Sequence, residues 1–245
     1  MQANERTARV LLVFAGADDA LGVTEIARRL GLGKSTVHRA LEGLVASGIV
    51  MRDPVSSLYR LGPRAIELGL RAIGAADIRA LALPFMFDLR DVTGETVTLS
   101  LRIGNERTFL TQMRSRQEVR MLVDIGTRLP LHAGAPGTVI LAHLSEPELA
   151  AYLATVALVP VTDATLTDEG ALRTLLAHVH EVGYAASRGE RNRSASAVAA
   201  PIFARDTVIG SIAVCGPHDR FDPAGVARFA EAVIEAGRAI SGRMG

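Results

Sequence analysis

Residues 24–48, TEIARRLGLGKSTVHRALEGLVASG, set out two short amphipathic segments joined by a tight turn. Ile26 and Leu30 repeat at i,i+4 in the first segment, and Gly31 can end it. Thr24 is placed to cap it, with Glu25 near its positive end. In the second segment Val37, Leu41, Leu44 and Val45 fall on one stripe, which predicts a buried face. Ser35 and Arg39 lie opposite that stripe, and Thr36 and His38 flank it. A short polar helix face of this kind fits a DNA major groove and can read base edges there. The same four residues on a merely solvated helix are the plainer alternative.

The flanking segments extend the pattern. Ala8–Ala17 predicts an apolar helix ahead of the pair. Ile49–Arg52 and Leu58–Leu61 predict a hairpin around Asp53-Pro54-Val55-Ser56-Ser57, which would form a wing with Arg52 and Arg60 on its flanks. Net charge is only +1 over 245 residues, so nucleic-acid affinity must come from locally concentrated charge. Such a concentration exists between residues 25 and 64. There Arg28, Arg29, Lys34, Arg39, Arg52, Arg60 and Arg64 outnumber Glu25, Glu42 and Asp53. Ser35, Thr36, His38 and Arg39 are the candidates for base contact, and Arg28, Lys34, Arg52 and Arg60 for phosphate contact.

Pro63 suits the first turn of a further helix with Ile66, Leu70 and Ile73 on one face, predicting a linker over 63–76. Beyond it the pattern changes. Ile78–Val92 reads as a helix that Pro84 bends or divides. Glu95–Ile103 and Arg107–Ser115 alternate as strands around Gly104-Asn105, and Glu118–Asp124 reads as a third. Gly134–His143 and Pro147–Leu153 look helical, and Thr167-Asp168-Glu169 opens a helix that runs to Val182. Val198–Ala204 and Thr207–Gly216 read as two more strands, and a closing helix follows Asp222-Pro223. This predicts an α+β domain with a largely antiparallel sheet.

The chain resembles the IclR family of bacterial transcription regulators over nearly its whole length. The resemblance rests on LGVTEIARRLGLGKSTVHRALEGLVASGIV, the wing and LGPRAIELG in the first half. In the second half it rests on IGTRLPLHAGAPGTVILAHLS, VGYAASRGE and VAAPIFARDTVIGSIAVCGPHDRF. It implies a winged helix-turn-helix over 1–62, a linker helix over 63–76 and a GAF-like effector domain over 77–245. It also implies dimers or tetramers on double-stranded DNA and a small organic or aromatic acid as effector. The implied effector positions are Ala135, Pro136 and Gly137 at a helix start, Ser187 or Arg188, Ala197 on a strand, and Ala213 with Cys215 on a late strand. A helix N-terminus offers free N–H groups to a carboxylate, and Pro136 removes one. With alanine at 197 and 213 the implied wall is less polar. The expected ligand is therefore somewhat apolar, with its charge met by Arg188 or Arg193.

Other chemistries have weaker support. Gly33-Lys34-Ser35 looks like the end of a phosphate loop, but Arg28 stands where the first glycine is needed and a helix precedes it. Cys215 would need a base such as His132 or His218 to act as a nucleophile. His178 and His180 point from different faces of a helix, and no metal or cofactor is predicted. The single cysteine excludes an intrachain disulfide and fits a reducing cytoplasm. Met1–Thr7 is polar, unlike a secretion signal, and no apolar run suits a membrane span. The leading expectation is an effector-responsive DNA-binding repressor and not an enzyme. The alternatives are a DNA-binding module whose C-terminal domain only oligomerises, and an enzyme that uses the C-terminal pocket.

Overall fold

A computed structural model describes residues 3–17, 20–65, 68 and 78–244. The chain divides into two compact units, Met1–Asp77 and Ile78–Gly245. The expected linker helix 63–76 lies outside the described residues except for 63–65 and 68.

The first unit holds α1 (Ala3–Leu12), which tightens into a 3-10 turn over Val13–Gly16, then α2 (Val23–Leu30) and α3 (Lys34–Ala46). Strands β1 (Val50–Arg52) and β2 (Tyr59–Leu61) follow as an antiparallel wing. The α1 helix begins five residues before the expected Ala8. Thr24 does not cap α2, because Gly22 is the N-cap and makes no side-chain bond. Leu21 and Tyr59 exchange two backbone hydrogen bonds of 2.8 Å, which pins the chain just ahead of the helix and starts it early. Gly31 closes α2 in the left-handed region, at φ +64°, where any side chain would be strained. The buried stripe of α3 is Val37, Ala40, Leu41 and Leu44. Val45, expected on that stripe, is exposed. Val10, Phe14, Ile26, Val37, Leu41, Val50 and Tyr59 form one core, so the wing and α3 are fixed by the same apolar cluster.

The second unit is built on a six-stranded antiparallel sheet. Its strands are β3 (Thr96–Ile103), β4 (Glu106–Met113), β5 (Arg128–Pro130), β6 (Ala185–Arg188), β7 (Ala195–Ala204) and β8 (Thr207–Pro217). They lie in the order β5-β4-β3-β8-β7-β6. Its helices are α4 (Ile78–Thr93), α5 (Ala135–Ala142), α6 (Glu146–Thr155), α7 (Glu169–Val182) and α8 (Pro223–Ser241). Pro84 does not divide α4. Both Pro84 and Ala80, whose carbonyl loses its partner, are exposed, so water can satisfy that carbonyl.

Strand register sorts the side chains onto two faces. Val97, Val214 and Val198 form one row and Leu99, Ile212 and Ala200 the next, on the face covered by α4 and α8. Thr98, Ala213 and Ala199, with Thr96, Cys215 and Ala197, form the rows of the opposite face. There α5 packs its whole length into a core with Leu131, Tyr152, Leu172, Leu176 and Val179. Gly137 permits this approach, because a Cβ there would run into the backbone of Leu131.

The expected strand 118–124 is absent. Residues 114–127 instead run as an irregular strap whose backbone is paired by side chains. Gln112 donates to Val123 O at 2.7 Å and accepts from Val123 N at 3.1 Å. Thr96 Oγ1 donates to Met121 O at 2.7 Å, and Arg220 Nη2 to Val119 O at 2.9 Å. β5 pairs with β4 only through Glu106, Arg107 and Thr108, and beyond them the strap's backbone bonds to β4 at Phe109, where Gly126 N donates to Phe109 O at 2.9 Å.

Candidate functional site

Two places concentrate chemistry, one in each unit. In the first, Lys34, Ser35, His38 and Arg39 are exposed on α3, and Thr36 is half-buried. His38 Nδ1 lies 3.1 Å from Glu42 Oε1 one turn on. Arg28 is exposed but committed: its guanidinium donates two hydrogen bonds of 3.0 and 2.7 Å to Glu25, which also accepts from Arg29 at 2.7 Å. The Arg28 and Arg29 hydrogen bonds hold the Glu25 carboxyl at about 2. On the wing, Arg52 donates to Ser57 Oγ at 2.9 Å and stacks 5.8 Å from the Tyr59 ring. Arg60 is exposed. Sequence reasoning missed α1 here. Ala3, Arg6 and Thr7 share a surface hollow with Thr36, Arg39 and Ala40, so α1 borders the polar face of α3.

The second place is a cavity of about 390 Å³, mouth included, on the α5 face of the sheet. Of the expected effector positions, Pro136, Ser187, Ala197 and Cys215 line it, together with Gly134. Ala135, Gly137 and Ala213 are buried in the packing beside it without lining it. Arg188 is exposed and outside the lining, and Arg193 is exposed and pairs with Asp163 at 3.2 Å. The cavity draws its charge from elsewhere.

Arg107 and Arg191 supply that charge. Arg107 on β4 is 1% exposed. Its Nη1 donates to Ser100 Oγ only at 3.5 Å and its Nη2 to Ala133 O at 3.4 Å, while its Nε has no partner. Burial, with Arg191 nearby, pushes its pKa down to about 9, so it stays charged at neutral pH with little to offset its lost hydration. Its guanidinium carbon lies 4.8 Å from the Phe109 ring centre, and that of Arg191 lies 5.4 Å from the same ring. The sequence carried a signal for Arg107. It shares parity with Phe109 on an alternating strand, so one cation had to face inward among apolar residues.

The start of α5 is already occupied by the protein's own side chains. Gly134 caps the helix at φ +82° and its N–H donates to Glu190 Oε2 at 2.9 Å. Ala135 N donates to Ser187 Oγ at 2.9 Å, and the N–H groups of Gly137 and Thr138 donate to Gly134 O. The expectation of free N–H groups there is therefore corrected: Pro136 has none and the others are paired. Burial raises the Glu190 carboxyl above its ordinary pKa, against the lowering effect of the Gly134 N–H. Thr162 and Thr165 hold the Glu190 segment, donating from their hydroxyls to the carbonyls of Gly189 and Glu190 at 2.7 Å. That segment then places Arg191 and Asn192 on the cavity wall.

The chemistry of nucleophilic catalysis is not assembled around Cys215. Burial pushes its thiol up to about 12. His132 is engaged with Tyr152 Oη at 2.9 Å and Val159 O at 3.0 Å. His218 is engaged with Ser196 Oγ at 2.8 Å and Arg193 O at 2.6 Å. In both rings the nitrogen facing a carbonyl must carry the proton, so the other accepts from the hydroxyl. Among the described residues no group of three or more His, Cys, Asp or Glu is arranged for a metal ion. His180 instead packs its ring 5.0 Å from that of His143.

Comparison with known proteins decides the lineage. The IclR helix-turn-helix domain matches residues 3–54, and the bacterial transcriptional regulator IclR C-terminal domain matches residues 70–242. The chain belongs to the IclR family. It is 33% identical to the HTH-type transcriptional regulator XynR of Escherichia coli K12, over 100% of this chain and 98% of that protein. It is 31% identical to the HTH-type transcriptional repressor AllR of the same strain, over 100% and 90%. A crystal structure of an IclR homologue from Microbacterium hydrocarbonoxydans, complexed with 4-hydroxybenzoate, superposes with a TM-score of 0.84 at 32% identity, covering 99% of each chain. As in the rest of the family, the N-terminal helix-turn-helix precedes an α+β domain with a curled antiparallel sheet. No described helix is long and apolar enough to cross a membrane.

Proposed function

We propose that this IclR-family chain is an effector-responsive repressor that works in the cytoplasm as a dimer or tetramer. Its C-terminal unit takes a small organic acid. The observation that carries this reading is the buried Arg107 guanidinium, with an unpartnered Nε, on the wall of a cavity whose lining includes the apolar Phe109, Val123, Pro136 and Ala197 beside polar Ser187 and Asn192. A carboxylate is the natural partner for such a fork, since it accepts two parallel N–H groups. The 4-hydroxybenzoate bound by the Microbacterium homologue is also a carboxylate, and the AllR relative is a repressor. Ser187, Ala197 and Cys215 then border the ligand, and Arg107 with Arg191 takes the part first assigned to Arg188 or Arg193.

In the first unit Ser35, Thr36, His38 and Arg39 meet base edges, while Lys34, Arg52 and Arg60 meet phosphates. Arg28 must first loosen from Glu25 to join them. The acid binds one arrangement of the assembled protein better and so shifts its operator affinity. The paired imidazoles and the protonated Cys215 thiol favour sensing over turnover.

A thermal-shift screen of organic and aromatic acids, followed by operator binding with each hit, tests this reading. Stabilisation by an acid that also changes operator affinity supports the sensor. No stabilisation across a broad library would leave a DNA-binding module whose C-terminal domain only oligomerises.

A further inference from the structure

Arg107 and Arg191 face one cavity without a counter-charge. Among the described residues neither has a carboxylate within ion-pair distance. Three acids lie in neighbouring elements, and each is engaged elsewhere. Glu190 turns its carboxylate to Gly134 N, Glu95 pairs with Arg220, and Asp163 pairs with Arg193. Both guanidiniums lie against the Phe109 ring, so one small molecule can reach both. They come from different places, however: Arg107 from the floor strand β4, and Arg191 from the segment clamped by Thr162 and Thr165.

From this arrangement we infer that the ligand is a compact dicarboxylate, one end held by Arg107 and the other by Arg191. The inference rests on the effector-site reading above and adds the number and placement of the ligand's charges. A monocarboxylate held by the half-buried Arg191 leaves the buried Arg107 without a carboxylate, and one held by Arg107 leaves Arg191 without one. A dianion neutralises both. Its two carboxylates also suit the planar fork of arginine better than a compact ammonium. Thr98, Ala197, Pro136 and Cys215, all short side chains, line the same cavity as the two cations.

The test is calorimetric titration of the full chain with malonate, succinate and glutarate, against butyrate, 4-hydroxybenzoate and inorganic phosphate. At least one dicarboxylate is expected to bind about tenfold or more tightly than butyrate, the scale of one added charge-assisted contact. R191Q should erase that advantage, weakening the dicarboxylates by a larger factor than butyrate. R107M should weaken both classes, and R107K, which keeps the charge without the fork, should still lose dicarboxylate affinity if R107M fails to fold. Equal binding of mono- and dicarboxylates, an R191Q variant that keeps the preference, or preferred binding of phosphate each overturns the inference while leaving an acid-binding pocket. If no acid binds while the protein still selects a specific duplex from a random library, the effector reading falls and this one with it.

Discussion

The Glu190 carboxylate accepts a hydrogen bond from the Gly134 N–H at 2.9 Å, joining residues 56 positions apart at the start of α5, with Gly134 in the lining of the C-terminal cavity and Glu190 outside it. The contact puts a negative charge of the protein's own where a helix start would otherwise attract an anion. Glu190 is therefore an internal rival of any acidic ligand. Replacing it by glutamine keeps an acceptor for Gly134 and removes the charge. Removing one like charge at this range is worth about 1 kcal/mol. Glu190→Gln should therefore tighten acid binding several-fold, measured by titration at pH 7.

The same residue sets a pH dependence. Burial raises its folded pKa above the unfolded value of about 4.3. A raised acid contributes stability that is fully present below the unfolded pKa and lost as pH rises through the folded one. Melting temperatures of the parent and Glu190→Gln should therefore differ most well above the ordinary carboxylate range, with the variant more stable, and converge as pH falls below it. A gap that is constant across this range would contradict the assignment.

On the DNA side, Arg39 and Arg60 should separate cleanly. Arg39 is exposed on the polar face of α3, and Arg60 on the wing. Arg39→Ala is expected to relax sequence preference, with a cost of about 1–3 kcal/mol on the preferred duplex only. Arg60→Ala should weaken all duplexes alike and reduce the slope of log K against log salt by about 0.9. Uniform losses from both changes in a matched and scrambled operator assay would sink the division of roles.

Cys215 offers a fourth check. Its thiol is buried and pushed up to about 12, so at pH 8 it is almost wholly protonated. Alkylation of the native protein should be far slower than that of the same protein in guanidinium chloride. Rapid modification of the folded chain would show an activated thiolate and revive a catalytic reading.

Glu95 and Arg220 form a two-pronged ion pair, with Glu95 1% exposed and Arg220 also donating to Val119 O in the strap. Arg220→Ala leaves a buried carboxylate alone. Breaking a buried pair from one side costs about 3–5 kcal/mol. Chemical denaturation should show that loss, and proteolysis should report earlier cleavage within 114–127.

Much of the architecture was written in local patterns. Val37, Leu41 and Leu44 announced the buried face of α3, and the turn at Gly104 announced the β3–β4 hairpin. Val45 misled because an alanine, Ala40, fills the inward position beside Leu41, which hydropathy counts undervalue. The strap misled because Glu118–Asp124 carries an alternating pattern while its backbone is satisfied by Gln112, Thr96 and Arg220, none of them close in sequence. The cavity was legible in part. Pro136, Ser187, Ala197 and Cys215 came from resemblance, whereas the two arginines that charge it needed register and tertiary contact to be seen. Arg107 had only its shared strand parity with Phe109 to mark it. Arg191 stands close in sequence to Arg188 and Arg193, and only the fold shows which of the three lines the cavity.

Thr162 and Thr165 lie outside the cavity lining, yet they grip the carbonyls that steer Glu190 and Arg191. On the proposed acid-binding reading, ligand choice is governed at one remove. Drift in a remote stretch near residue 162 can retune which molecule is recognised while every lining side chain keeps its identity. Paralogues with matching pocket walls need not answer to the same signal.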